Sequence, residues 1–259
     1  LYFTNLKNPR LIFSHIGYKP IEIKIKSDNL NLGTIILESD ERLDEVVVSG
    51  TLKPVSTLDS SIPVEVYART FFKANPTASI FEALENINGI RPQLNCNVCN
   101  TGDIHINGQE GSYTMVLIDG LPIVSGLSTV YGLSGIPKSL IERVEVIKGP
   151  ASTLYGSEAI GGVINLITRL PENTSKFSVD SFLSGWGEVN TDIGYKYNLT
   201  GSNSGLLGIN YFNYSNPIDN NQDGFTDLTL QDRISIFNKL TFGKKLSIAS
   251  RFVYEDRWG

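Results

Sequence analysis

The sequence predicts a mixed fold: part of an all-β sandwich, then an α+β domain, then the first antiparallel strands of a transmembrane β-barrel. Three observations carry this. From Lys176 onward the chain runs in long alternating segments: Val189, Thr191, Ile193, Tyr195 and Tyr197 share one face, and Asn190, Asp192, Gly194, Lys196 and Asn198 the other. Short turns at one end of these segments alternate with a longer loop from Asn216 to Asp227. Ahead of them, residues 62–168 combine one helical stripe with short β-rich runs and glycine turns.

Composition sets the bounds. The chain has 259 residues, 41% hydrophobic and 19% charged, which is too apolar for a disordered chain. A net charge of −5 argues against a nucleic-acid partner, because phosphate binding needs a basic face. No run approaches the ~20 apolar residues of a membrane helix. Barrel strands need only ~9–11 residues of alternating polarity, so that absence leaves a barrel open. The chain begins at Leu1 without a leader pattern and stops directly after a strand-like run, so it reads as a fragment.

Residues 1–42 read as the tail of a small β-sandwich. The runs 10–14 and 21–26 are β-branched or alternating, a turn at 17–20 separates them, and 32–37 closes the set. Next comes the octet Leu43-Asp44-Glu45-Val46-Val47-Val48-Ser49-Gly50, a short β-branched run. It reads either as a last sandwich strand or as a mobile strand that pairs with the sheet edge of another protein.

In the α+β domain, 51–170, Ile80, Leu84 and Ile87 form a helical stripe with Ala83 beside them. Asn75 or Thr77 is the expected N-cap and Gly89 the end. The runs 103–106 and 113–118 flank Asn107-Gly108, a hairpin signal, and Asp119-Gly120 turns the chain again. Two further strands are expected at 143–147 and 161–168, joined by a glycine-bounded connection, 148–156.

About five strands fill 171–259. A half-buried soluble sheet also alternates. However, these runs exceed the ~5–6 residues usual in globular sheets, and their polar faces are too hydrophilic for a dry core. Tyr195, Tyr197, Tyr211 and Tyr254 suit interfacial girdles. Five strands cannot close a barrel.

The segment Ile141–Asn165, IERVEVIKGPASTLYGSEAIGGVIN, strongly resembles the plug motif of TonB-dependent outer-membrane receptors, as do Val116–Gly120 and the helix at 79–87. The resemblance covers roughly residues 43–259, with Lys148 where arginine is commoner. Residues 1–42 resemble the end of a carboxypeptidase-regulatory-like sandwich. The octet 43–50 resembles the TonB box, with Leu43, Asp44, Glu45, Val46, Val47, Val48 and Ser49 as its TonB-binding residues.

The resemblance implies a plug folded inside a barrel in the outer membrane, its N-terminal part periplasmic. It implies uptake of a scarce nutrient, with TonB and ExbB–ExbD as energy source. The plug is most like the ferric-siderophore and cobalamin branch, which makes a chelated-metal or cobalamin-type substrate, or haem, the expectation. No resident cofactor is required. Arg143, Glu145 and Lys148 are expected to form polar contacts to the barrel wall. A surface binding or adhesion receptor, with or without a surface lipoprotein partner, is the alternative in another class.

Two constellations stand apart. Cys96-Asn97-Val98-Cys99 lies in a polar loop. In an oxidising periplasm a small-loop disulfide is the first reading. The sharper one is a soft-metal site for copper uptake, with His105 and Met115 as further ligands. The run Asp219–Asp227 matches the first nine positions of an EF-hand-like Ca²⁺ loop, with Asp219, Asn221, Asp223, the Phe225 carbonyl and Asp227 as ligands. Its twelfth position is Leu230 rather than glutamate. Two histidines, neither in a nucleophile pattern, and no HExxH or P-loop run argue against an enzyme.

Overall fold

The computed structural model describes residues 10–13, 21–24, 34–37, 46–50, 55–56, 59–96, 101–123, 133, 136–171, 174–201, 203–243 and 246–258. Strands β1 (Arg10–Phe13) and β2 (Ile21–Lys24) form an antiparallel ribbon. Residues 34–37, expected within a third strand, have no regular structure. The expected turn at 17–20 lies outside the described residues.

The α+β domain is organised by a five-stranded mixed sheet. Its order is β5 (Glu65–Ala68), β10 (Ile141–Ile147), β11 (Gly162–Thr168), β8 (Thr114–Ile118), β9 (Leu121–Pro122). Only the β11–β8 pairing is parallel. Alternation decides the two faces. Val144, Val146, Ile164, Leu166 and Val116 enter the larger core, where Ile80, Leu84 and Ile87 cover them. Ile147, Val163, Met115 and Leu117 enter a second core on the opposite face.

The helical stripe is buried as expected, but the helix is short. A turn of α-helix, α2 (Ile80–Ala83), passes into a 3₁₀ turn at Leu84–Asn86. Ser79, rather than Asn75 or Thr77, caps it, accepting from the Glu82 N–H at 3.3 Å while the Glu82 carboxylate accepts from the Ala78 N–H. A helix the periodicity does not announce, α1 (Arg69–Ala74), precedes it and buries Phe72.

The Asn107-Gly108 turn forms, with φ of 50° and 80°. It does not join the expected pair of strands. Pairing beyond it stops at Ile106–Gln109, and a 3₁₀ turn at Gly111–Tyr113 carries the chain away. Strand β7 (Thr101–Ile106) pairs instead with β6 (Ile90–Cys96). The other left-handed pair, Asp119 (φ 51°) and Gly120 (φ 81°), closes the tight β8–β9 hairpin.

Five antiparallel strands follow in sequence order: β12 (Phe177–Leu183), β13 (Val189–Asn198), β14 (Ser204–Tyr214), β15 (Leu230–Phe242) and β16 (Leu246–Trp258). Their burial is inverted relative to a soluble sheet. Asn190, Asp192, Asn210, Arg233, Ser235 and Lys239 are buried, whereas Phe252 and Tyr254 are 59% and 58% exposed. Register aligns Ile193, Ile209, Ile236 and Phe252 in one outward row and Tyr211, Ile234 and Tyr254 in the next. Apolar outside and polar inside, against a folded domain, is the arrangement of a membrane wall around a filled lumen.

Candidate functional site

The octet 43–50 enters the described structure at Val46. Strand β3 (Val46–Val47) pairs with β4 (Val55–Ser56), aligning Val47 with Val55. It lies on the second face of the mixed sheet, where Val47 is fully buried in the core of Met115, Leu117, Ile147 and Val163. Burying one valine contributes roughly 1.5 kcal/mol or more. The expectation of a mobile, exposed strand is therefore corrected for Val47–Gly50, which packs within the domain. Leu43, Asp44 and Glu45 lie outside the described residues.

Polar contacts fix the end of the segment. On β10 and β11, Glu145 and Asn165 are register partners that face this side of the sheet, and neither is exposed. One oxygen of Glu145 accepts from the Val48 N–H at 2.9 Å, the Ser49 N–H at 2.8 Å and the Ser49 hydroxyl at 2.6 Å. The other accepts from Arg143 Nε at 2.9 Å and Nη2 at 2.8 Å. Asn165 donates to Ser49 Oγ at 3.0 Å, and the Tyr155 hydroxyl donates to the Ser49 carbonyl at 3.0 Å. A buried carboxylate must find hydrogen-bond donors, and these occupy both of its oxygens.

Arg143 and Glu145 thus pair with each other within the domain. Lys148 does the same, pairing with Glu65 at 2.5 Å. Burial opposes the charge of Glu65, but the hydrogen bonds from Lys148 and Tyr67 outweigh it and hold the carboxyl below its ordinary value. Burial, and then that neighbouring carboxylate, push the Tyr67 hydroxyl up to about 12.

With the five described wall strands, the plug makes these contacts. Lys239 of β15 meets Asp119 at 2.8 Å and the Thr168 hydroxyl at 2.7 Å. Arg233 of β15 donates to the Ala78 carbonyl at 3.3 Å, ahead of α2, and lies over the Phe212 ring. Lys138 donates to the Thr77 carbonyl and lies over Phe182 of β12. Leu140, buried, presses on a dimple made by the register partners Gly194 and Gly208, where a Cβ on Gly208 would overlap it. Asp119 was legible only as a turn residue, and nothing local marks Lys239 as its partner.

The CxxC and calcium candidates resolve differently. Cys96 is disulfide-bonded, and Cys99, the other cysteine of the chain, lies outside the described residues. His105 pairs with Asp103 at 3.0 Å, and Met115 is buried in the second core. The soft-metal alternative is thereby corrected: a bonded sulfur is no thiolate, and its other ligands are used elsewhere. In the 219–227 loop, Asp219 accepts from the Asp223 and Gly224 N–H groups at 3.3 and 3.1 Å, and Asp223 from Phe225 at 2.9 Å. Asp227 accepts from Asn220, and Asn221 from Asp223. These carboxylates accept from the loop's own backbone, and among the described residues no group of three or more His, Cys, Asp or Glu side chains is placed to hold a metal ion.

Comparison with known proteins meets this geometry. Residues 56–163 match a family model described as TonB-dependent Receptor Plug Domain. The closed form of the ferric-catecholate import receptor Fiu from E. coli K12 superposes with a TM-score of 0.61 at 19% identity, over 83% of this chain and 28% of that one. The ferric yersiniabactin uptake receptor FyuA from Yersinia pestis gives 0.59 at 17%, over 75% and 31%. The pyoverdine outer membrane receptor FpvA from Pseudomonas aeruginosa PAO1, bound to pyoverdine, gives 0.59 at 17%, over 82% and 30%. The chain therefore spans under a third of the length of these structures, and the likeness is one of fold.

Proposed function

We propose that this chain, the plug domain and first wall strands of a TonB-dependent receptor, is the gated inlet of an outer-membrane transporter for a scarce nutrient. The nutrient class it fits best is a metal chelate such as a ferric siderophore, or cobalamin or haem. The observation that carries the reading is the plug packed on the polar face of strands whose apolar face is bare. Such an assembly closes a lumen in a membrane and needs a way to open it.

Segment 43–50 supplies that way. A barrel that faces no nucleotide pool must receive work mechanically, and a β-capable strand can be gripped through its main chain by TonB, energised by ExbB–ExbD. In the seated state Val47 pairs with β4 and Ser49 is tied to Glu145, so TonB gains the strand only after it leaves the plug. Three hydrogen bonds to a carboxylate, each worth about 1.5–3 kcal/mol, make a seat that holds at rest yet yields to partner and load. The polar plug–wall contacts suit the same cycle, since a pair of charges and hydrogen bonds can part and re-form between the same groups.

A knockout strain tests this, grown on a single ferric siderophore, cobalamin or haem source and complemented with the full-length receptor or its Val47→Pro variant. Growth restored by the receptor and lost with Val47→Pro, while nutrient still binds, supports the reading. Growth restored equally by both removes it. Nutrient binding without any uptake would favour the surface-receptor alternative.

A further inference from the structure

We propose that Asn165 is a positioning residue that joins the seat of segment 43–50 to the plug–wall ion pair of Asp119 and Lys239, so that release at one end loosens the other. The inference deepens the transport reading and rests on it for the role of the segment.

Asn165 is fully buried at the centre of β11. Its amide bridges the segment and the β8–β9 turn. Nδ2 donates to Ser49 Oγ at 3.0 Å, and Oδ1 accepts from the Gly120 N–H at 3.0 Å. The orientation is unambiguous, because a backbone N–H can meet only the amide oxygen. Ser49 Oγ then accepts from the amide and must send its own proton to Glu145, at 2.6 Å. Every donor and acceptor in the chain has one role.

The far end is equally determined. Gly120 follows Asp119 in the left-handed β8–β9 turn. Asp119 Oδ1 accepts from the Thr168 N–H at 2.8 Å, and Oδ2 accepts from the Thr168 hydroxyl at 2.6 Å and from Lys239 at 2.8 Å. A cavity of about 350 Å³, lined by Ile118, Asp119, Leu121, Phe237 and Lys239 among others, lies beside the turn. The polar chain runs Lys239, Asp119–Gly120, Asn165, Ser49, Glu145, from the wall across the sheet to the segment.

One rigid amide serves both neighbours. Withdrawing Ser49 takes away the partner of Nδ2. The amide then rotates to re-pair, and rotation drops the Gly120 N–H, one of the bonds that steady the turn holding Asp119 against Lys239. Spatial continuity alone does not establish coupling, so the claim needs a cycle of variants.

The test uses the full-length receptor in lipid vesicles without TonB, spin-labelled at Leu121→Cys beside the turn or at Val48→Cys in the segment. Ser49→Ala is expected to raise the mobile fraction at the Leu121 label about 3- to 10-fold, the scale of one buried hydrogen bond. In an Asn165→Ala background the same substitution adds nothing there. Asn165→Asp guards against misfolding: it keeps the acceptor for Gly120 and lacks the donor to Ser49, so the Val48 label loosens and the Leu121 label does not. A Ser49→Ala effect at Leu121 that is equal in both backgrounds, or absent from both, overturns the proposal. Undiminished capture of the TonB C-terminal domain by the Val47→Pro receptor overturns the TonB reading instead and leaves the coupling result standing.

Discussion

Lys239 of the fourth wall strand meets Asp119 of the plug at 2.8 Å, and both share the hydroxyl of Thr168. The lysine is 7% exposed and the aspartate 27%, so water screens the pair little. Replacing Lys239 with methionine keeps the stem but strands the carboxylate. The expected cost is about 1–3 kcal/mol of plug docking. Proteolysis of the plug in detergent-solubilised receptor checks it: faster plug cleavage is expected, and Asp119→Asn in the same chain should add less than it does alone.

Glu145→Gln preserves shape but removes the charge that draws the Val48 and Ser49 donors and the Arg143 guanidinium. Loss of one partner of a buried pair costs about 3–5 kcal/mol when the other stays buried. The segment should leave its seat without nutrient, raising alkylation of a Val48→Cys thiol and capture of TonB. Alkylation equal to that of the unaltered seat would show that Glu145 does not hold it.

Gly208 is required for a close approach, because Leu140 of the plug occupies the space a side chain would fill and Pro137 stands beside it. Both neighbours belong to the plug, so Gly208→Val should lift the plug from the wall rather than distort the strand. Cells carrying it are expected to admit large antibiotics that the unaltered receptor excludes, while barrel assembly persists. Gly185→Ala, where an added Cβ meets nothing, serves as the contrasting control.

Burial, and then the Glu65 carboxylate, push the Tyr67 hydroxyl up to about 12 by opposing its ionisation. The ordinary tyrosine value is 10.0, so the folded plug keeps its proton where the unfolded chain has lost it. That contribution is fully present below pH 10 and lost as the pH rises to about 12. Glu65 has the opposite sense: its lowered carboxyl adds stability above its ordinary value of 4.5, lost as the pH falls through the folded pKa. Unfolding of the receptor at a series of pH values should show a fall in the alkaline window that Tyr67→Phe removes.

Legibility followed the range of the interactions. Ile80, Leu84 and Ile87 were readable as a buried stripe because helical spacing is local, as was the alternation of Val189–Asn198. That alternation also placed Tyr195, Tyr211 and Tyr254 outward, where each is at least 40% exposed. The hairpin expected across Asn107-Gly108 was not the one formed, since a turn signal states that the chain reverses and not which strand it meets. Glu145 and Ser49, 96 residues apart, share a hydrogen bond that no local pattern encodes. The same holds for Asp119 and Lys239, 120 apart. Propensity marked Val46–Val48 as β-capable but could not say that the plug's own face would hold Val47.

Initial-rate uptake of the growth-supporting nutrient by cells carrying the full-length receptor, with and without an uncoupler of the proton gradient, tests the central claim most directly. The account predicts that the uncoupler abolishes accumulation and leaves surface binding intact. Accumulation that continues at the same rate in uncoupled cells would contradict a TonB-driven plug.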